Sequence, residues 1–225
     1  MEIAWMDLQL GKLFDWLDES GQRENTIVVL TADHGQGLTK GQRLHSWPRH
    51  RLIYQWSIHV PLIIAGPELP AAQTINALVR TIDIAPTLLE VLNLAPDAPM
   101  DGASLARLMA GHSDEPRLAY ADALNTQDTF SPLERLPKIC RDDLLAVTDG
   151  RYKLIHHLKE PSQSELFDLQ ADPDEQVNLY ASEPEVAARL HDFLRKEGAL
   201  TISAKGDTGQ APDGDALRGL GYTGD

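Results

Sequence analysis

An unbroken apolar and β-branched run, Ile27-Val-Val-Leu30, stops just short of two residues able to hold a metal, Asp33 and His34. A short continuous apolar run of this kind fits a strand covered on both faces, as in a parallel sheet. In open parallel sheets ligands sit beyond the carboxyl ends of the strands, where Asp33 and His34 emerge. Gly35 follows, and lets the backbone turn sharply without a Cβ penalty. A second reading stands beside this one: the Asp starts a turn and the His packs against it. Asp-His-Gly is too short a text to choose between them.

The elements around this stretch narrow the fold class to α/β. Ile3, Met6, Leu10, Leu13 and Leu17 recur at three- and four-residue steps, predicting a helix with one buried face that ends near Glu19-Ser20-Gly21. Val60 to Pro67 reads as a second short strand. Two strands do not make a covered parallel sheet, so most of such a sheet lies outside this text. Asp83 to Leu92 predicts a second amphipathic helix, with Asp83 as its cap and Pro86 tolerated in its first turn. Beyond about residue 115 the texture changes to short runs, 144–147, 152–156 and 166–169. Turn signals at Asp149-Gly150 and Pro161-Ser162 separate them, predicting a small antiparallel meander. Ser182-Glu-Pro-Glu185 reads as a capping box opening a helix whose Val186, Leu190, Phe193 and Leu194 cover that sheet. After Leu200 the text becomes rich in Gly, Asp and Ala and reads as a flexible tail.

Charge bounds the partners. Twenty basic against 34 acidic residues give a net −14, which repels nucleic acid and anionic membrane surfaces. An anionic substrate therefore needs a local positive centre such as a metal. No apolar run reaches membrane-spanning length. One cysteine, Cys140, excludes an internal disulfide framework. The N-terminus lacks the pattern of a signal peptide, and its opening within a helix suggests that the text starts partway through a fold. The compartment stays open.

Other candidates are weaker. Four of the eight histidines, His34, His45, His50 and His59, fall between positions 34 and 59, but without His-Glu-x-x-His spacing. Gly35-Gln-Gly37 with Lys40 lacks the spacing of a phosphate loop. Ser104 is no nucleophile elbow, because Ala106 stands where that motif needs glycine. Asp142-Asp143 reads as a solvated turn, Cys140 as a plain thiol, and Arg151 and Lys153 as charges on a strand surface.

Several stretches together resemble sulfatases of the alkaline-phosphatase superfamily. They are the helix carrying Asp7 and Gly11, Glu-Asn-Thr-Ile-Val-Val-Leu-Thr-Ala-Asp-His-Gly35 and Leu-His-Ser-Trp-Pro-Arg-His-Arg-Leu-Ile-Tyr-Gln55. Further stretches are Asp83-Ile-Ala-Pro-Thr87, Asp101-Gly-x-Ser-Leu105, Asp149-Gly-Arg-Tyr-Lys-Leu-Ile155, Glu165 to Leu179, and Leu217-Arg-Gly-Leu-Gly-Tyr222. The resemblance implies the C-terminal part of an alkaline-phosphatase-like parallel-sheet domain over residues 1–115. A small antiparallel β subdomain packed by a helix would follow over 116–200, then the tail over 201–225.

The resemblance also implies sulfuric ester hydrolysis at a divalent-metal site. Asp33 and His34 would be metal ligands, calcium foremost, with Mg2+, Mn2+ and Zn2+ as alternatives. His45 and His50 would be catalytic, and His50 stands where many sulfatases place a sulfate-contacting lysine. Substrates would be sulfate-ester small molecules or sulfated glycans. The formylglycine precursor motif, Cys/Ser-x-Pro-x-Arg, and the two early metal-binding aspartates match nothing in this text, since Cys140 is followed by Arg-Asp-Asp. The expectation is therefore a portion inactive alone, completed by a missing N-terminal half. Two alternatives stay open: a phosphodiesterase or phosphonate-ester hydrolase of the same superfamily, and a non-catalytic remnant or interaction protein.

Overall fold

A four-stranded antiparallel sheet, covered on both faces, holds the main core of the molecule. The computed structural model describes residues 2–35, 52–124, 141–196 and 199–200. In chain order come helix α1 (Glu2–Glu19), strand β1 (Val28–Thr31), short helix α2 (Gln55–Ile58) and strand β2 (Leu62–Ala65). Helices α3 (Ile84–Val91) and α4 (Ala106–Met109) follow, then strands β3 (Ala119–Leu124), β4 (Asp143–Thr148), β5 (Tyr152–His157) and β6 (Glu165–Asp168), and last helix α5 (Pro184–Lys196).

The sheet runs β3-β4-β5-β6, each neighbour antiparallel, with Ala146 opposite both Ala121 and Ile155. Between β4 and β5 the chain reverses at Asp149-Gly150-Arg151. Gly150 takes φ 92, and the Asp149 carboxylate accepts the N–H groups of Arg151 and Tyr152. Leu145, Val147, Leu154 and Leu166 meet Ala187, Leu190 and Leu194 of α5 on one face. Leu144, Ala146, Ile155 and Phe167 meet Leu52, Ile53 and Tyr54 on the other. Each such large aliphatic side chain contributes about 1.5–3 kcal/mol on burial.

Helix α5 starts differently from its predicted capping box. The Ser182 hydroxyl donates to the Leu179 carbonyl, and the helix opens with Pro184 in its first position, where its missing N–H costs nothing. Two acid readings are also corrected. Asp142 and Asp143 are buried, not solvated: Asp142 lies 3.1 Å from His157 Nδ1 and accepts the Lys159 N–H at 2.9 Å. Asp83 does not cap α3 with its side chain. It accepts instead from the N–H groups of Arg80 and Ala103 and from the Arg80 guanidinium. Thr87 extends this knot, donating to the Asp83 carbonyl at 2.6 Å and accepting the Leu105 N–H at 2.8 Å. Gly102 is needed there, because a Cβ would lie 1.9 Å from the Ile82 carbonyl oxygen.

At the other end, β1 and β2 pair antiparallel, Val28 opposite Ala65 and Thr31 opposite Leu62. The run expected to be covered on both faces is only half-buried. The α1 helix forms where its periodicity places it, but its apolar face is not buried among the described residues. Ile3, Trp5, Met6, Leu13 and Trp16 are exposed, whereas Leu17 is buried. Among the described residues no helix is long and apolar enough to cross a membrane. The expected tail and Cys140 lie outside the described residues.

The contact between α5 and the sheet has a built-in acid sensitivity. His156 on β5 is 9% exposed, lies 3.1 Å from the Ser164 hydroxyl, and meets the His191 ring edge-on at 4.8 Å. Burial, then the neighbouring His191 and His157, push its pKa down to about 4, against a weaker upward pull from Asp142. The unfolded chain takes up this proton near pH 6.5 and the folded chain only near 4, so stability is lost as pH falls through that window. The loss from this group should reach about 3 kcal/mol. Urea midpoints of the parent and His156→Gln at pH 7 and pH 4.5 measure it. The parent should lose more stability than the variant, and parallel losses would remove His156 as the cause.

Candidate metal centre

Strand β1 ends at Thr31, and two residues later Asp33 and His34 leave it side by side. The Asp33 carboxylate accepts the His34 backbone N–H at 2.9 Å, which turns both side chains the same way. His34 Nδ1 lies 2.9 Å from the Gly35 carbonyl oxygen. A carbonyl can only accept, so Nδ1 carries a ring hydrogen. The His34 Nε2 faces Asp33 Oδ2 at 3.6 Å. A carboxylate oxygen and an imidazole nitrogen thus converge at the end of a strand. This donor set fits a divalent cation. It is a partial set, and no group of three or more acidic, His or Cys side chains able to hold a metal occurs among the described residues.

Gly35 ties this turn to the rest of the molecule. Its N–H donates to the Ser57 carbonyl at 2.7 Å, and a Cβ on it would lie 2.1 Å from the Trp56 carbonyl oxygen. The glycine therefore serves close backbone approach to α2. Both Asp33 and His34 line a cavity of about 1060 Å³, whose far wall includes Tyr120 and Asp122 of β3 and Lys153 of β5. His45 and His50 lie outside the described residues. His59 is exposed at the cavity rim.

Lys153 overturns its reading as a strand-surface charge: it is fully buried. Its ammonium pairs with Glu175 at 2.7 Å and reaches Gln55 Oε1 at 3.3 Å. Glu175 is 2% exposed, takes a left-handed φ of 54, and accepts the Gln55 N–H at 2.6 Å. Tyr54 donates to the buried Glu165 beside it. Burial pulls the Lys153 pKa down to about 8 against the attraction of Glu175, and pushes that of Glu175 up against the pull of Lys153 and the Gln55 N–H. Arg151, by contrast, is half-exposed and pairs with Asp168 at 3.0 Å.

A strand end carrying Asp33 and His34, beside a separate antiparallel sheet with its own helix, is consistent with the C-terminal part of an alkaline-phosphatase-like α/β fold. The protein belongs to the sulfatase family: residues 44–199 match the family model described as N-sulphoglucosamine sulphohydrolase, C-terminal. It is 32% identical over 208 residues to the multifunctional alkaline phosphatase superfamily protein PehA of Trinickia caryophylli, covering 89% of this chain and 39% of that protein. It is 30% identical over 179 residues to N-acetylglucosamine-6-O-sulfatase of Bacteroides thetaiotaomicron, covering 79% of this chain and 30% of the relative.

Among solved structures, phosphonate monoester hydrolase of Agrobacterium radiobacter superposes with a TM-score of 0.64 at 26% identity, covering 89% of this chain and 40% of that one. A protein solved with its substrate D-glucosamine-2-N,6-O-disulfate superposes at 0.69 with 23% identity, covering 91% and 40%, and supports the fold alone. The chain thus spans 30 to 40% of the length of these relatives.

Proposed function

We propose that this chain supplies the C-terminal share of a hydrolase site for sulfuric esters, with Asp33 and His34 holding a divalent cation. Calcium is the foremost candidate, with Mg2+, Mn2+ and Zn2+ as alternatives. The convergence of the Asp33 carboxylate with His34 Nε2 at the end of β1 carries this reading. Such a cation neutralises charge on the ester oxygens when bound. The chain's own residues have narrower tasks. The Gly35 carbonyl fixes the His34 tautomer, and the Asp33–His34 backbone bond keeps both donors on one side. By resemblance alone His45 and His50 are assigned catalytic roles, His50 at the position of a lysine that contacts the sulfate and assists the leaving oxygen. The substrate class is a sulfate-ester small molecule or a sulfated glycan, as in the relatives named for such esters.

The remaining cation ligands and the nucleophile would come from sequence matching the rest of those relatives. The exposed apolar face of α1 supports such a companion, because large exposed apolar surfaces mark contact sites. A second reading, hydrolysis of phosphonate or phosphate diesters, is favoured by the likeness to the phosphonate monoester hydrolase and by His50 in place of lysine.

The test is a titration of the 225-residue chain with Mn2+ alone, read by nuclear magnetic resonance. Millimolar Mn2+ should broaden the signals of His34 and Gly35 first, and Asp33→Asn should abolish the selectivity. Broadening spread over the acidic surface without preference for His34 would remove the metal reading.

A further inference from the structure

We propose that Glu175, held in place by Lys153, is a positioning residue for the Asp33–His34 turn, a role that rests on the metal reading above. A continuous path of bonds runs from the antiparallel sheet to the end of β1. Lys153 sits on β5 with its ammonium 2.7 Å from Glu175 Oε1. The other oxygen of the same carboxylate takes the Gln55 N–H at 2.6 Å, the first N–H of α2. One turn on, the Ser57 N–H reaches the Tyr54 carbonyl at 2.8 Å, and the Ser57 carbonyl takes the Gly35 N–H at 2.7 Å. Gly35 in turn presents the carbonyl that fixes His34 Nδ1.

The energetics favour a positioning role over a purely stabilising one. A buried ion pair gives little net stability, because desolvation of both charges offsets their attraction. Glu175 also holds a left-handed backbone that non-glycine residues adopt only at a cost. The ion pair and the strained turn put one carboxylate where it addresses α2. Helix α2 has only four residues and cannot hold itself in water. Its Ser57 carbonyl stays aimed at Gly35 because Tyr54 is anchored to Glu165 and Gln55 to Glu175. The missing Cβ of Gly35 permits the approach.

Amide hydrogen exchange of the full 225-residue chain tests this. Glu175→Leu removes the acceptor, and exchange of the Gly35 N–H should quicken about tenfold while β4 and β5 amides keep their parent rates. Glu175→Gln keeps an acceptor for the Gln55 N–H and should restore Gly35 to near the parent rate. Glu175→Leu could unfold by stranding Lys153, so Gln55→Pro provides a second cut. Proline suits the first position of a helix, and the extended backbone of Tyr54 suits a residue before proline. This variant deletes the N–H donated to Glu175 and leaves the Lys153–Glu175 pair in place.

Gly35 exchange should quicken in Gln55→Pro as well, and the half-saturating Mn2+ concentration at His34 should rise in both variants. Unchanged Gly35 exchange in a folded variant, or acceleration shared equally with β4 and β5, overturns the positioning role. Failure of Mn2+ to broaden His34 in the parent overturns the metal reading instead, and the exchange rates distinguish the two failures.

Discussion

Residues 1–225, purified and supplied with calcium, should release no product from an aryl sulfate above a calcium-only control. Calcium takes about six to eight oxygen donors, and Asp33 with His34 supplies at most about three contacts. No Cys/Ser-x-Pro-x-Arg text is present, so the chain lacks the precursor of the nucleophile that its sulfatase resemblance calls for. Adding a separately expressed segment that matches the remaining length of the relatives should restore turnover. Within that pair, Asp33→Ala should cost roughly a thousandfold in kcat/KM, about 4 kcal/mol of lost charge stabilisation. A phosphonate monoester assayed beside the aryl sulfate separates the two ester classes. Turnover by residues 1–225 alone, lost in Asp33→Ala, would sink the proposal that the site is shared between segments.

The sequence could place these elements because their signals are local. The β4–β5 hairpin announces itself through Asp149-Gly150, and the strands observed at Asp143–Thr148, Tyr152–His157 and Glu165–Asp168 lie within two residues of their predicted runs. Strand β3 escaped notice because Ala119-Tyr-Ala-Asp-Ala-Leu124 is too rich in small residues to read as a strand. The burial of Lys153 was hidden for a different reason. In a sheet covered on both faces, alternation no longer marks an outside, so a lysine in a strand looks like a surface charge. Its partner Glu175 is 22 residues away and its cover, Gln55, 98 residues away. Both acidic and basic members do lie within texts singled out for their resemblance, Asp149 to Ile155 and Glu165 to Leu179, which was the available signal.

The α1 helix shows the converse limit. Its periodicity correctly gives a helix, but an apolar stripe states only that something should cover it. Among the described residues nothing covers that stripe, and Trp5 and Trp16 stand exposed. The same holds for the candidate metal site. Asp33 and His34 could be chosen from their place after a strand, yet Gly35's bond to Ser57 depends on a contact that no local pattern encodes. These two features share one physical cause. Local text specifies the shape of an element and the chemistry of its end, whereas the groups that bury or complete it are set by distant chain.

Replacing Asp83 by alanine should cost about 3–5 kcal/mol, the effect of removing one partner from a buried charge cluster. The Asp83 side chain is fully buried, 2.8 Å from the Arg80 guanidinium and 3.6 Å from that of Arg117, which is itself only 8% exposed. It also accepts the Ala103 N–H at 2.9 Å, binding the loop before α4 to the start of α3. Removing the carboxylate takes from Arg80 its 2.8 Å ion-pair partner, while Arg117 keeps Asp114 and the Ser104 carbonyl, and leaves the Ala103 N–H without its acceptor. Burial by itself would raise the Asp83 pKa, but the Arg80 hydrogen bonds and the N–H groups of Ala103 and Arg80 outweigh it and hold the carboxyl below its ordinary 3.8. The sign follows: the unfolded chain protonates this group first as pH falls, so its contribution is complete well above pH 3.8 and is lost on descending through the lower folded value. Asp83→Asn keeps the shape and one acceptor and should fall between parent and alanine variant, at about 1–3 kcal/mol. Urea unfolding at pH 7 in low and high salt measures all three proteins. The difference should survive 0.5 M salt, on the order of physiological screening or stronger, because the charges are shielded from solvent. A loss below about 1 kcal/mol in Asp83→Ala, or one that salt erases, would show a surface ion pair's behaviour and defeat the buried-knot account.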